Sequence, residues 1–239
     1  MRKIVGVFRF IYALFVVLGH SIGGSIANLV HEGNGNKFLR KRIYPNGMKL
    51  LKSSGSELTL HGIENIIPGE NYLFAGNHRS YTDILVLFIA GQYANSPVCF
   101  MSKKEVFKVP FLGPAIKYVD TIGVDRKSTK SAVKSIIDSV ESLKAGRNLV
   151  IFPEGTRSND GHTLSPFKKG AFTIAKKAGV KIIPFVLEGT EKYMPKGEFA
   201  IYPAQVSVKF FPAVSTDNKS DTEIMEEVEA IIKKELNQA

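Results

Sequence analysis

The chain has 239 residues, of which 44% are hydrophobic and 23% are charged, so it can bury a hydrophobic core as one globular domain with an appendage. Lys and Arg total 32 against 22 acidic residues, and the net charge of +10 favours an anionic partner without choosing among phosphate ligands, a membrane surface and nucleic acid. Cys99 is the only cysteine, which excludes an intramolecular disulfide and a cysteine cluster for zinc, and favours a reducing compartment.

The first predicted element is an apolar helix. From Phe10 to Val30 no Asp, Glu, Lys or Arg occurs, and a stretch of that length is long enough to cross a bilayer. A signal peptide is one interpretation, but Arg9 interrupts its apolar stretch. A spanning helix is a second interpretation, but cations flank the stretch on both sides, whereas a spanning helix should show them on one side.

A helix that dips into one leaflet accounts for both flanks, because the cations of the following stretch KFLRKRIYPNGMKLLK can lie among lipid headgroups. We therefore predict a membrane-anchoring helical segment at residues 1–55, which is monotopic and lies on the cytoplasmic face of the membrane. An α/β domain is predicted at residues 56–239. A buried core helix with a solvated basic face after it is the alternative.

A hydrolase-like motif lies inside the apolar segment. Residues 19–23 read GHSIG and match the G-x-S-x-G nucleophile elbow, in which a strand turns sharply into a helix and exposes the serine. That elbow needs earlier strands and an upstream loop with an oxyanion-hole amide, and too few residues precede Ser21 to provide them. Small residues at this spacing also permit close helix packing, so a Ser21 nucleophile is the weaker interpretation.

An α/β pattern begins near Leu58. Seven short β-rich runs alternate with helical patterns, namely ELTLHG, NYLFAGN, PVCFMS, YVDTIGV, NLVIF, VKIIPFVL and QVSVKFF. The proline of the sixth run predicts that this strand lies at a sheet edge or contains a bulge. Cys99 falls in the third run, which predicts an inert thiol in the core.

Two later segments show helical periodicity. Apolar residues at three- and four-residue spacing in 129–145 predict a helix with one buried face, which ends at Gly146. The predicted face consists of Val133, Ile136, Ile137, Val140 and Leu143. The last helix is predicted to begin at a capping box formed by Ser220 and Glu223.

A histidine and an aspartate stand five positions apart in NHRSYTD, residues 77–83. On one continuous helix the side chains of His78 and Asp83 would point about 140° apart. If His78 lies in a turn and Asp83 in the first turn of the next helix, the carboxylate can reach an imidazole nitrogen, and the helix dipole keeps it anionic. Because α/β proteins place ligand sites at strand-to-helix junctions, the pair predicts an oriented general base.

The second motif is FPEGTRS, residues 152–158, directly after the β-rich run NLVIF. Its proline and glycine predict a tight turn. Glu154, Gly155, Thr156 and Arg157 supply a carboxylate, an approachable backbone, a hydroxyl and a guanidinium, and such a set suits a polyol phosphate. The alternative is an ordinary loop with a surface arginine.

Two weaker motifs lie between these. Lys103 begins the first, with Pro110 and Gly113 after it, and the second is GVDR at residues 123–126, which ends in Arg126. Lysine and arginine at strand ends are usually solvated surface charges, but two cations at the same sheet edge would help to neutralise a phosphate.

Taken in order, these motifs resemble those of the 1-acyl-sn-glycerol-3-phosphate acyltransferase family of glycerolipid acyltransferases. NHRSYTD is similar to the family's His and Asp motif, GVDR to its second block, FPEGTRS to its third and KIIPF to its proline-containing fourth, and the Lys103 element resembles a further lysine-containing one. The resemblance runs from about Leu58 to about Phe211. It implies a mixed central sheet flanked by helices and an enzyme that forms phosphatidate for phospholipid biosynthesis.

The resemblance also implies roles for the motif residues. His78 is expected to take the proton from the 2-hydroxyl of lysophosphatidate as that oxygen attacks an acyl thioester, while Asp83 orients the imidazole. Arg157, with Arg126 and Lys103 as helpers, is expected to hold the phosphate.

Glu154 is expected to bind the glycerol backbone or to organise those cations, and backbone amides at the Gly155 turn are candidate oxyanion donors. No metal and no cofactor is expected beyond the acyl donor, which is acyl-coenzyme A or an acyl-carrier protein. Lysophosphatidate and membrane lipids are the other expected partners, and no nucleic acid is expected. Another lysolipid acceptor is the alternative, and a Ser21-dependent lipid hydrolase is a weaker one.

Overall fold

The structure, a computed structural model, describes residues 2–110, 112–124 and 129–238. The helices are α1 Arg2–Val30, α2 Asn34–Ser53, α3 Asp83–Tyr93, α4 Leu112–Lys117, α5 Thr129–Lys144, α6 Gly170–Ala178, α7 Thr190–Tyr193 and α8 Asp221–Glu235. The strands are β1 Glu57–His61, β2 Leu73–Gly76, β3 Val98–Lys103, β4 Ile122–Val124, β5 Asn148–Ile151, β6 Ile182–Glu188 and β7 Gln205–Phe210. Short 3-10 helices occupy Ile63–Asn65 and Lys104–Lys108. Each predicted β-rich run contains one strand.

All seven strands lie in one sheet with the order β1-β7-β6-β2-β5-β3-β4. Neighbouring strands are parallel except β6 and β7, so β1 and β7 run against the others. The sheet is therefore mixed and flanked by helices, which confirms the predicted fold class. Because β2, β5, β3 and β4 are consecutive parallel neighbours, their carboxyl ends meet at one edge of the sheet.

Hydrophobic side chains form a layer on each face of the sheet. Leu73 and Ala75 of β2 pack in the layer that contains α6 and α8, whereas Phe74 packs with α3 on the opposite face. This alternation follows from the two-residue period of a strand that is buried on both faces. The predicted capping box of α8 is present, since Glu223 N donates to Ser220 Oγ at 3.2 Å and Ser220 N donates to Glu223 Oε2 at 2.7 Å.

The proline of β6 does not lie at a sheet edge, because β6 pairs with β2 on one side and β7 on the other. On the β7 side, Phe185 pairs with Phe210 and Ile182 pairs with Val214. Three residue steps separate the two paired positions on β6, but four separate them on the opposite segment, which is a bulge of one residue. Pro184 lies within this bulge. The regular pattern of hydrogen bonds between the strands is interrupted there, so the missing N–H of the proline removes none of them. The edge prediction is wrong, and the bulge prediction describes the pairing.

Helix α5 forms where predicted, but its buried face differs. Leu143 is fully buried, whereas Val133 and Ile137 are each 51% exposed. Serines take the buried positions instead, and Ser139 Oγ donates to the carbonyl of Ser135 at 2.6 Å. A serine is small, and its hydroxyl can be buried when it donates a hydrogen bond to a carbonyl of its own helix. Serines at these positions therefore allow the helix to approach the sheet closely. The predicted burial of Val133 and Ile137 is therefore wrong.

Helices α1 and α2, which make up most of the predicted segment 1–55, form a tightly packed hairpin. A Cβ at Gly24 of α1 would clash with Leu39 of α2, and a Cβ at Gly35 of α2 would lie 3.0 Å from the Gly24 carbonyl oxygen. At the other end of α2, a Cβ at Gly47 would lie 2.7 Å from Ile89 of α3. Small residues thus let the hairpin pack closely on itself and on the sheet domain.

Helix α1 is the one described helix whose length and composition would allow it to cross a membrane. Its buried residues are Gly6, Ser21 and Gly24, while most of its large apolar side chains are exposed, with Phe8 at 67%. A helix buried in the core would hide these side chains. The exposure of α1 therefore contradicts the alternative of a core helix.

Candidate active site

The first motif lies at the carboxyl end of β2. β2 ends at Gly76, His78 follows in an irregular turn, and α3 begins at Asp83. His78 Nδ1 and Asp83 Oδ2 are 2.7 Å apart. The two residues have the turn-and-helix relation that the sequence predicted, and a continuous helix would have kept them apart.

Asp83 Oδ2 accepts three hydrogen bonds. Besides the imidazole, it contacts the backbone N–H groups of Arg79 at 2.7 Å and Ser80 at 2.9 Å. A carboxylate oxygen that already accepts from two amides requires a donor at the third contact, so Nδ1 of His78 carries a proton, and in the neutral ring the lone pair is therefore on Nε2. The Asp83 side chain is fully buried at the amino end of α3, where the helix dipole stabilises its negative charge.

Phe152 fixes the plane of the His78 ring. The two rings are stacked, with centroids 3.9 Å apart and an interplanar angle of 11°. The His78 side chain retains 17% exposure. Within the described ranges no hydrogen bond reaches Nε2, so this nitrogen is open to an incoming hydroxyl.

Glu154 joins the two motifs through the backbone. Its side chain is buried, Oε1 accepts from His78 N at 2.7 Å, and Oε2 accepts from Ser165 N at 2.8 Å. Burial raises the pKa of the Glu154 carboxyl, although both amide donors act in the opposite direction. The sequence predicted contact with glycerol or with cations, and the structure places both carboxylate oxygens on backbone amides.

Gly155 forms the tight turn that was predicted after β5. Its φ of +73° lies in the left-handed region that glycine adopts without strain. Its N–H donates to the carbonyl of Phe152 at 3.0 Å, so the turn already uses this candidate oxyanion donor. A Cβ at Gly155 would lie 2.9 Å from Lys168 Nζ, so the glycine also leaves room for an ammonium group. The next residue, Thr156, is exposed.

The guanidinium of Arg157 lies over the ring of Tyr81, with Cζ 3.6 Å from the ring centroid. The backbone beside it is joined to the first motif, since Ser158 N donates to the His78 carbonyl at 2.8 Å. Lys196 Nζ donates to the carbonyls of Arg157 at 3.1 Å and Ser158 at 3.2 Å. The structure therefore brings the two main motifs together at the carboxyl ends of β2 and β5.

The weaker motifs occupy the same edge at a greater distance. Lys103 is exposed at the end of β3 and pairs with Val124 at the end of β4. Because β5 lies between β2 and β3, roughly 10 Å of sheet separates Lys103 from the strand that carries His78. Arg126 follows β4 in the sequence and lies outside the described residues.

Sequence reasoning missed the residues that support this site. Phe152 and Tyr81 lie inside the two motifs, but each stacks on a candidate residue of the other motif, so only the fold brings each pair together. Lys196 lies 39 residues after Arg157, and no local pattern marks it.

Ser21 and Cys99 take no part in the site. Ser21 lies buried within α1, which is helical from Arg2, so the strand that a nucleophile elbow requires is not present before it. Cys99 is buried in β3, and burial raises the pKa of its thiol to about 11, which keeps it protonated near neutral pH. Among the described residues no group of three or more His, Cys, Asp or Glu side chains could hold a metal ion.

Comparisons with known proteins agree with this geometry. A family model described as Acyltransferase matches residues 57–188, more than half of the chain. A chloroplastic 1-acyl-sn-glycerol-3-phosphate acyltransferase of Brassica napus is 39% identical over 143 residues, which cover 59% of this chain and 40% of that protein. The 1-acyl-sn-glycerol-3-phosphate acyltransferase of Helicobacter pylori is 36% identical over 146 residues, which cover 61% of this chain and 60% of that protein. The chain thus spans less than two thirds of the length of these relatives.

A solved structure extends the similarity to the whole chain. The crystal structure of the 1-acyl-sn-glycerophosphate acyltransferase PlsC from Thermotoga maritima matches with a TM-score of 0.83 and 26% sequence identity. The match covers 100% of this chain and 97% of that one. The shared fold therefore includes the α1–α2 hairpin as well as the sheet.

Proposed function

The chain belongs to the acyltransferase family, and from that membership we propose that it transfers a fatty acyl group from an acyl thioester to the 2-hydroxyl of 1-acyl-sn-glycerol 3-phosphate, forming phosphatidate for phospholipid biosynthesis. The relatives and the structural neighbour named for this activity support the acceptor. The observation that carries the proposal is the hydrogen bond between His78 and buried Asp83, which leaves Nε2 open at the sheet edge.

The proposed mechanism is direct transfer with His78 as general base. The 2-hydroxyl oxygen attacks the thioester carbonyl carbon while its proton passes to Nε2. The tetrahedral intermediate then collapses, the C–S bond breaks, and the leaving sulfur takes the proton from the imidazolium. Asp83 orients the ring and stabilises its transient positive charge, and the stacked Phe152 limits its rotation.

Cations at the same edge are proposed to bind the phosphate of the acceptor. Arg157 is the main contact, because its guanidinium presents several N–H donors to phosphate oxygens. Lys103, exposed at the end of β3, and Arg126 are proposed to add positive charge. Gly155 and Thr156 shape the turn that carries Arg157.

The proposed reaction needs no metal and no cofactor beyond the acyl donor. The net charge of +10 suits both acyl-coenzyme A and an acyl-carrier protein as donor, since each is anionic.

The exposed apolar surface of α1 and the basic residues of α2 are proposed to hold the enzyme monotopically on the cytoplasmic face of a membrane. There the enzyme would reach lysophosphatidate without extracting it from the bilayer.

The test measures thiol release from acyl-coenzyme A by the purified protein in mixed micelles, with and without lysophosphatidate. We expect release that depends on lysophosphatidate, formation of phosphatidate, and a loss of about 100-fold or more in kcat for His78→Ala. His61→Ala is the matched control, since His61 is exposed on the edge strand β1.

Three outcomes would contradict parts of the proposal. Full activity in His78→Ala would refute the mechanism. Thiol release with another lysolipid, but not with lysophosphatidate, would refute the acceptor. If both acyl-coenzyme A and an acyl-carrier protein donor gave no transfer to any lysolipid, the activity itself would be refuted.

A further inference from the structure

Tyr81 has no role in the proposed chemistry, yet it contacts the residue proposed to bind phosphate. Tyr81 is 56% exposed, and the Cζ atom of Arg157 lies 3.6 Å from its ring centroid. At that separation the guanidinium must lie face to face with the ring, because an edge-on approach would push a nitrogen into the ring's van der Waals surface. The pair is therefore a parallel cation–π stack.

A parallel stack leaves the arginine donors available. The N–H groups of a guanidinium lie in its plane and point outward, so a ring against one face does not block them. Within residues 2–110, 112–124 and 129–238 the Arg157 side chain forms no ion pair or hydrogen bond. Tyr81 thus holds the group in place without using the donors that a phosphate needs.

The backbone at the Arg157 end of this stack is already held by two contacts. Ser158 N donates to the His78 carbonyl, and Lys196 Nζ donates to the Arg157 carbonyl. The backbone contacts do not restrict the long Arg157 side chain, which would lose rotamer freedom on binding a ligand. A ring that orders this side chain in advance reduces that entropic cost.

We propose that Tyr81 is a positioning residue and a determinant of acceptor affinity, because it holds the Arg157 guanidinium ready for the phosphate of the acceptor. This inference rests on the proposed function. It predicts an effect on acceptor binding and none on the chemical step, since Tyr81 contacts Arg157, while among the described residues the side-chain hydrogen bonds and ring contacts of His78 and Asp83 do not involve the Tyr81 side chain.

The matched variants are Tyr81→Phe, which keeps the aromatic face, and Tyr81→Leu, which removes it. We expect Tyr81→Leu to raise the KM for lysophosphatidate by about 2- to 5-fold, the effect of an exposed cation–π contact, while kcat and the KM for the acyl donor change little. Tyr81→Phe should retain the wild-type KM. In an Arg157→Gln background, Tyr81→Leu should have no further effect.

Binding of sn-glycerol 3-phosphate, measured by calorimetry without an acyl donor, tests the inference independently of turnover. A 2- to 5-fold weaker Kd in Tyr81→Leu, with Tyr81→Phe unchanged, supports the role of the ring even if lysophosphatidate proves not to be the acceptor. Equal binding by all three proteins would overturn it. The absence of any phosphate binding by the wild type would also overturn it, because Arg157 would then have no phosphate to contact.

Discussion

Glu154 is a single buried carboxylate that links the two motifs of the candidate active site. Its two oxygens accept the backbone amides of His78 and Ser165, so it links the turn after β2 to the loop before α6. We expect Glu154→Gln to lower the free energy of unfolding by about 1–3 kcal/mol, because the new amide group must face one of these two N–H donors. Chemical denaturation measures this loss, and kcat should fall with it because the His78 backbone is released.

Glu64→Gln is the matched control for that variant, since Glu64 is exposed and the same atoms are exchanged there. Its stability and activity should equal those of the wild type. If Glu154→Gln kept full stability and lost only affinity for lysophosphatidate, Glu154 would be a ligand for the substrate and not a link between loops.

The raised pKa of the Glu154 carboxyl also predicts a pH dependence. A carboxyl whose pKa in the folded state lies above its ordinary value of 4.5 takes up a proton more readily when folded. The stability of the wild type relative to Glu154→Gln should therefore rise as the pH falls through that raised pKa towards 4.5. Denaturant titrations at several pH values measure the difference, and a difference that shrank on acidification would contradict the assignment.

At the residue scale, local relations were predictable and distant ones were not. The contact between His78 and Asp83 depends only on where a helix begins inside one short motif, so the sequence was sufficient. Glu154 accepts from the amide of Ser165, 11 residues later, and the carbonyl of Arg157 accepts from Lys196, 39 residues later. Such contacts depend on how loops close in three dimensions, which no local pattern encodes.

At the element scale, glycines control the α1–α2 hairpin. We expect Gly24→Val to destabilise the protein in detergent by about 1–3 kcal/mol, because its side chain would meet Leu39 and Tyr118 at the helix contact. Gly19→Val on the same helix is the control, since nothing lies within 4 Å of a Cβ at Gly19. Thermal unfolding compares the two variants. Equal melting temperatures would show that the close contact between the helices does not stabilise the hairpin.

The errors at this scale concern position in the sheet and not the existence of elements. Periodicity predicted α5, but the extent of its buried face depends on what covers each flank. The helix packs beside the short edge strand β4, and Val133 and Ile137 remain exposed there. Likewise, the proline in β6 indicates that one backbone N–H donor is missing from this strand. Only the strand order and pairing reveal that the proline lies at a bulge in the interior of the sheet.

At the scale of the whole molecule, the exposed apolar surface of α1 predicts membrane binding through this helix. We expect Phe8→Glu to weaken binding to vesicles that contain anionic lipid by on the order of 10-fold or more, since burying a phenylalanine in an apolar phase contributes about 1.5–3 kcal/mol. Stability in detergent should change little, because Phe8 is exposed. Vesicle flotation measures the binding.

Ile67→Glu is the control for that experiment. Ile67 is an exposed apolar residue in the loop before β2, and it lies towards the amino end of the strand, away from His78. The control should float with vesicles as the wild type does. Equal binding by wild type, Phe8→Glu and Ile67→Glu would show that the membrane contacts another surface.

The stack between His78 and Phe152 has an optical consequence. The chain contains no tryptophan, so Phe152→Trp would introduce a single indole against the imidazole, whose ring centroid now lies 3.9 Å from that of Phe152. A protonated imidazole over an indole face is a cation–π contact, whereas the neutral ring is not, so the emission of that one fluorophore should differ between the two states. One fluorescence titration of the resting protein would then report when the histidine gains its proton.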